Sequence, residues 1–122
     1  MTTIDDLLLT ARESLVRLPA ENVRDELAAG GILVDIRPAA QRAAEGEAPA
    51  ALVIERNVLE WRCDPASDAK IPEAVDHDVR WIVLCQQGYT SSLAAAALQQ
   101  LGLHRATDVI GGYEALVEAG AV

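Results

Sequence analysis

The chain has 122 residues, enough for one layered domain around a single core and too few for two independent ones. Its formal net charge of −9 argues against nucleic acid or an anionic membrane surface as the partner, since both favour a basic face. No apolar run approaches the ~20 residues of a membrane span, and with 51% hydrophobic residues but no phenylalanine the core is expected to be aliphatic.

Asp5 and Asp6 stand where a secretory leader would carry basic residues, and only two cysteines occur, Cys63 and Cys85. A cytoplasmic protein without a disulfide framework is therefore expected. His77 and His104 have no ligand spacing with the cysteines, so neither a metal nor another cofactor is expected.

Thr2 or Thr3 followed by Asp5 and Asp6 marks a helix start, and Ile4, Leu7, Leu8, Ala11, Leu15 and Leu18 recur at helical spacing up to Pro19. A second helical pattern runs from Ala20 to Ala29 and stops at Gly30-Gly31. Ile32-Leu33-Val34 reads as a strand closed by Asp35-Ile36-Arg37-Pro38, and a short helix is expected from Pro38 to Glu45. Leu52-Val53-Ile54 is a second strand candidate. The stretch from Glu55 to Val79 has no sustained period, and single helical turns are expected near Asn57–Trp61 and Pro72–Val75.

Trp81-Ile82-Val83-Leu84 then reads as a strand, Ser91–Leu101 as a helix, Thr107–Ile110 as a last strand and Tyr113–Ala119 as a closing helix. Uninterrupted apolar strands alternating with helices imply a parallel sheet covered on both faces. Ligands of such sheets bind at the carboxyl ends of the strands, where Cys85 falls.

Cys85 ends its apolar run and opens the polar stretch Gln86-Gln87-Gly88-Tyr89-Thr90-Ser91, which leads into the alanine-rich helix. A strand end, a tight turn and a helix start would aim backbone N–H groups at one sulfur and favour its anion. Thr90, Ser91, Gln86 and Gln87 could add side-chain donors to the same anion. Cys63, between Arg62 and Asp64, has no such surroundings and is read as a bystander. Trp61 and Trp81 are read as core or cleft-wall aromatics, and Tyr89 as a loop residue that either shapes the pocket entrance or points to solvent.

The loop Cys85-Gln86-Gln87-Gly88-Tyr89-Thr90-Ser91 resembles the Cys-x-x-Gly-x-Arg-Ser loop of the rhodanese family, with Thr90 in place of arginine. Leu33-Val34-Asp35-Ile36-Arg37 is similar to the family's Asp-x-Arg signature, and Gly111-Gly112 through Gly120 to its closing Gly-Gly…Ala-Gly segment. Gly46-Glu47-Ala48-Pro49-Ala50-Ala51 keeps part of a further family segment but has Glu47 where histidine is usual.

The resemblance implies a three-layer α/β/α fold with a central, mostly parallel five-stranded sheet. It also implies a rhodanese-like domain over residues 17–122, with an N-terminal helical extension over 1–16 that could cap the sheet edge or serve an oligomer contact. As activity it implies a sulfurtransferase carrying sulfane sulfur as a persulfide on Cys85. The donor would be thiosulfate or a persulfide and the acceptor a thiol, cyanide or a sulfur-relay protein.

Gln86 to Ser91 and Arg56 are then candidate substrate contacts, and Asp35 with Arg37 a pair that fixes the neighbouring loop. Arg62 shares the segment after the second strand with Arg56. The competing reading is a rhodanese-like binding or regulatory module, which the missing loop arginine favours and the retained Cys85 disfavours. A Cys-x₅-Arg phosphatase is disfavoured because neither Thr90 nor Ser91 can supply its phosphate-binding arginine.

Overall fold

The computed structural model describes all residues from Met1 to Val122. Its elements in chain order are α1 (Ile4–Glu13), α2 (Val23–Ala28), β1 (Ile32–Asp35), α3 (Ala39–Glu45), β2 (Leu52–Val53), α4 (Leu59–Cys63), β3 (Trp81–Leu84), α5 (Thr90–Gln100), β4 (Thr107–Asp108) and α6 (Gly112–Glu118). The strands form one parallel sheet in the order β2-β1-β3-β4.

The sheet has four strands, not the expected five. The place of a fifth is taken by Leu18, whose N–H donates to Asp108 O and whose carbonyl accepts from Ile110, giving a single parallel bridge to Val109. Pro19 follows at once and has no N–H to extend the ladder.

Side-chain alternation along the strands builds two cores. On one face Val34, Trp81 and Val83 pack with Leu59, Cys63, Ala94, Ala95 and Leu98 from α4 and α5. On the other, Leu33, Ile82 and Leu84 pack with Val23, Tyr113 and Leu116 from α2 and α6. β3 is buried along its whole length between β1 and β4, as expected for a strand without polar alternation.

α1 begins at a capping box, in which Thr3 and Asp6 satisfy each other's backbone N–H. It ends at Glu13, earlier than the apolar spacing predicts, because Leu18 is drawn to the sheet edge and the residue before Pro19 avoids helical geometry. The apolar spacing nevertheless marks a real face, and α1 packs against α5.

Residues 20–28 form a helical turn, Ala20–Asn22, continued by α2. The helical turn expected near Asn57–Trp61 is a 3₁₀ turn, Arg56–Val58, running into α4, whereas Pro72–Val75 forms turns only. Trp81 is fully buried, but Trp61 is 60% exposed and is no core residue. No helix is long and apolar enough to cross a membrane.

Candidate active site

β3 delivers Cys85 to the carboxyl-end face of the sheet, and α5 begins five residues later. In between, Gly88 takes φ +84°, a left-handed conformation that curls the loop back under the sulfur. The Gly88 and Ser91 N–H groups donate to Cys85 Sγ at 3.2 and 3.4 Å. Those of Gln86, Gln87, Tyr89 and Thr90 have no acceptor within the protein.

This arrangement follows from where the loop carbonyls go. Tyr113 N–H takes Cys85 O at 2.8 Å and Glu114 N–H takes Gln86 O at 3.2 Å, both from the start of α6. Gly112, at φ +63°, makes that approach possible, since a Cβ there would collide with the Cys85 carbonyl and Gly88 N. Gly88 O accepts from Arg12 and Arg17, each at 2.8 Å. With the carbonyls of Cys85, Gln86 and Gly88 tied outward, the loop presents N–H groups inward, an anion-binding concavity.

The floor of the loop is a buried network around Asp108 in β4. Its carboxylate accepts from the hydroxyls of Ser91 and Ser92 at 2.7 and 2.8 Å and pairs with Arg17 at 2.8 Å. Every side chain in it finds a partner, as burial of a charge requires. Ser91 therefore meets the sulfur with its backbone N–H, and its hydroxyl is not the direct donor expected from the sequence.

Beside the loop, Asp35 and Arg37 form a buried ion pair at 2.8 Å, with Arg37 1% exposed. Burial works to lower the Arg37 pKa, but the hydrogen bond and charge of Asp35 outweigh it and the net shift is upward. Arg37 also reaches Gln86 Oε1 at 2.9 Å and Gly46 O at 2.9 Å, and its guanidinium lies 4.0 Å over the Tyr113 ring. It is thus a bracket joining three segments around the site. Gln86 Nε2 turns to Glu114, so its amide is engaged away from the sulfur.

A cavity of about 430 Å³ opens over Cys85, which is itself 4% exposed. Arg37, Arg56, Gln86, Gln87, Tyr89 and Thr90 line it together with Glu55 and Gln41. Tyr89 is 60% exposed at the mouth. The structure brings Arg56 to the cavity as expected, but pairs it with Glu60 at 2.7 Å. Arg62 lies outside the cavity and donates to Ala69 O.

Cys63 lies on α4, fully buried, and burial together with the nearby Glu60 carboxylate pushes its thiol up to about 12. Arg12, Arg17 and Asp108 were not anticipated from the sequence. A carboxylate inside Thr107-Asp108-Val109-Ile110 was the available signal, because a charge within an apolar strand needs a partner.

A family model described as rhodanese-like domain matches residues 19–119. No curated protein matches the chain significantly. Among solved structures, a protein of unknown function from Rhodopseudomonas palustris, described as a possible tyrosine phosphatase, superposes with a TM-score of 0.87 at 28% identity, over 98% of this chain and 92% of that one.

The human single-domain sulfurtransferase is 26% identical over 84% of this chain and 95% of its own, with a TM-score of 0.68. A thiosulfate sulfurtransferase from Pseudomonas aeruginosa shares the fold at 20% identity and a TM-score of 0.75, over 98% of this chain and 22% of that one. With the matched model spanning most of the sequence and the cysteine loop at the end of the central strand, the chain belongs to the rhodanese-like domain family.

Proposed function

We propose that the protein is a sulfurtransferase that carries sulfane sulfur as a persulfide on Cys85. The Cys85 thiolate attacks the sulfane sulfur of a donor, a Cys85 S–S bond forms, and the bond between that sulfur and the rest of the donor breaks with the electron pair leaving on the donor. An acceptor thiolate or cyanide then attacks the outer sulfur, which returns Cys85 as thiolate and yields a new persulfide or thiocyanate.

One observation carries this reading. Two N–H groups hold the Cys85 sulfur while those of Gln86, Gln87, Tyr89 and Thr90 have no acceptor in the protein. A cradle of that kind suits an anion that moves outward by one sulfur atom during the cycle. The cavity over Cys85 has room for a small donor and, at its mouth, for an acceptor thiol.

Arg56 and Arg37, the two guanidiniums of the cavity, are both committed to carboxylates, and position 90 is threonine. That favours a persulfide or polysulfide donor over thiosulfate, whose doubly charged oxygens need uncommitted charged donors. A reducing, cytoplasmic setting fits two unpaired thiols.

The same lack of an uncommitted cation at the cavity favours the second reading, a binding module without turnover. Intact mass after incubation with sulfur donors separates the two. Gain of one sulfur that is lost on adding an acceptor thiol supports transfer, and no gain from any donor supports the binding module. A phosphatase would need an arginine in this loop, and none is present.

A further inference from the structure

We propose that Arg12 is a positioning residue of the cysteine loop: carried by α1, it orients the Gly88–Tyr89 peptide and brings the site the positive charge that Thr90 cannot. The proposal rests on Cys85 carrying anionic sulfur, as argued above. Arg12 donates to Gly88 O at 2.8 Å and to Ser92 Oγ at 3.0 Å, and its guanidinium lies 5.8 Å from the centre of the Tyr89 ring. One side chain thus grips the loop backbone, the start of α5 and the pocket-mouth tyrosine.

The first consequence is directional. The chain has no cis peptide bond, so the Tyr89 N–H points opposite to the Gly88 carbonyl. Two guanidiniums on that carbonyl hold it away from the cavity and leave the Tyr89 N–H, which has no acceptor in the protein, facing the other way. The grip on Gly88 therefore fixes a donor for the outer sulfur.

The second consequence is electrostatic. Arg17 shares the same carbonyl, but its charge is matched by Asp108 at 2.8 Å. Arg12 has no carboxylate partner. Two guanidiniums and one carboxylate leave one net positive charge behind the loop. Gly88 N–H touches Cys85 Sγ at 3.2 Å and Gly88 O touches Arg12 at 2.8 Å, so across the width of one residue the cation is at most about 10 Å from the sulfur. That is about the screening length at ~0.1 M salt, so the charge is felt there.

The test compares alkylation of Cys85 by iodoacetate, an anion, with that by iodoacetamide, its neutral counterpart, in the full chain at one pH. Loss of loop geometry alone would slow both reagents together, whereas loss of the cation slows the anion more. Arg12→Gln should lower the iodoacetate-to-iodoacetamide rate ratio roughly two- to tenfold. Arg12→Lys, which restores the charge, should bring the ratio back to within about twofold of the parent.

Arg24→Gln makes the same change in total charge at an exposed residue that donates to Gly120 O, and should leave the ratio unchanged. Arg12→Met keeps the apolar stem and serves the same comparison if the glutamine variant fails to fold. An unchanged ratio in folded Arg12→Gln or Arg12→Met protein, or an equal fall with Arg24→Gln, overturns the proposal. Because alkylation needs only the thiol, a fall in ratio without any sulfur loading supports the role of Arg12 and sinks the transfer reading, and loading with an unchanged ratio does the reverse.

Discussion

Cys85 and Cys63 belong to one apolar layer on the same face of the sheet, yet their surroundings are opposite. Cys63 is fully buried on α4, and burial with the Glu60 carboxylate pushes its thiol up to about 12. Cys85 is nearly as buried, but its sulfur accepts from two backbone N–H groups and opens onto a cavity lined by loop residues. Burial does not distinguish the two cysteines here. The direction of the surrounding dipoles does, and that direction is set by what holds the loop carbonyls.

The largest expected effect tests which cysteine is the nucleophile. Cys85→Ser keeps the size of the side chain but cannot form a persulfide, and should reduce sulfur transfer by about a thousandfold or more. Its melting temperature should stay close to the parent's. Cys63→Ala should retain most of the activity while costing about 1–2 kcal/mol of stability for lost packing. Initial rates and thermal melts of both variants check this, and a dead Cys63→Ala protein that is fully folded would reverse the assignment.

A second test uses pH. Folding raises the Cys63 pKa from the ordinary 9.0 to about 12, so between these values the folded state holds a proton that the unfolded chain releases. The contribution is fully present below about pH 9 and is lost as pH rises toward 12. Between about pH 8 and about pH 10.5 the parent should lose about 2 kcal/mol more stability than Cys63→Ala. Urea melts at the two pH values measure the difference, and parallel losses would show that Cys63 is not held as a buried neutral thiol.

The smallest effect sharpens the other pole of the contrast. Thr90→Arg adds a charged fork beside Cys85 and should raise the initial rate with thiosulfate about tenfold, with little change for a persulfide donor. A parent that already uses thiosulfate efficiently and gains nothing from Thr90→Arg would mean that a paired arginine such as Arg56 serves as the anion contact.

Much of this layout is legible in the sequence because it is local. Three apolar runs mark β1, β2 and β3, the Asp35-Ile36-Arg37 segment marks a strand-end pair that fixes its loop, and the Cys85–Gly88 spacing marks the cysteine loop. The end of α1, the one-residue bridge at Leu18 and the exposure of Trp61 were missed, since each depends on tertiary packing that periodicity does not encode. Arg12 and Arg17 were missed for a related reason. Their contacts with Gly88 span about seventy residues or more, and on a helix or its flank an arginine ordinarily reads as surface.

The position of Cys85 at the end of β3 also bears on how the molecule fails. β3 is hydrogen-bonded to a strand on each side and buried along its length, so it is among the segments whose amides open only with the whole domain. The two-residue strands β2 and β4 at the sheet borders can fray first. In hydrogen exchange the backbone amides of Ile82 to Leu84 should therefore be among the slowest in the chain, and the base of the cysteine loop should persist until cooperative unfolding removes it.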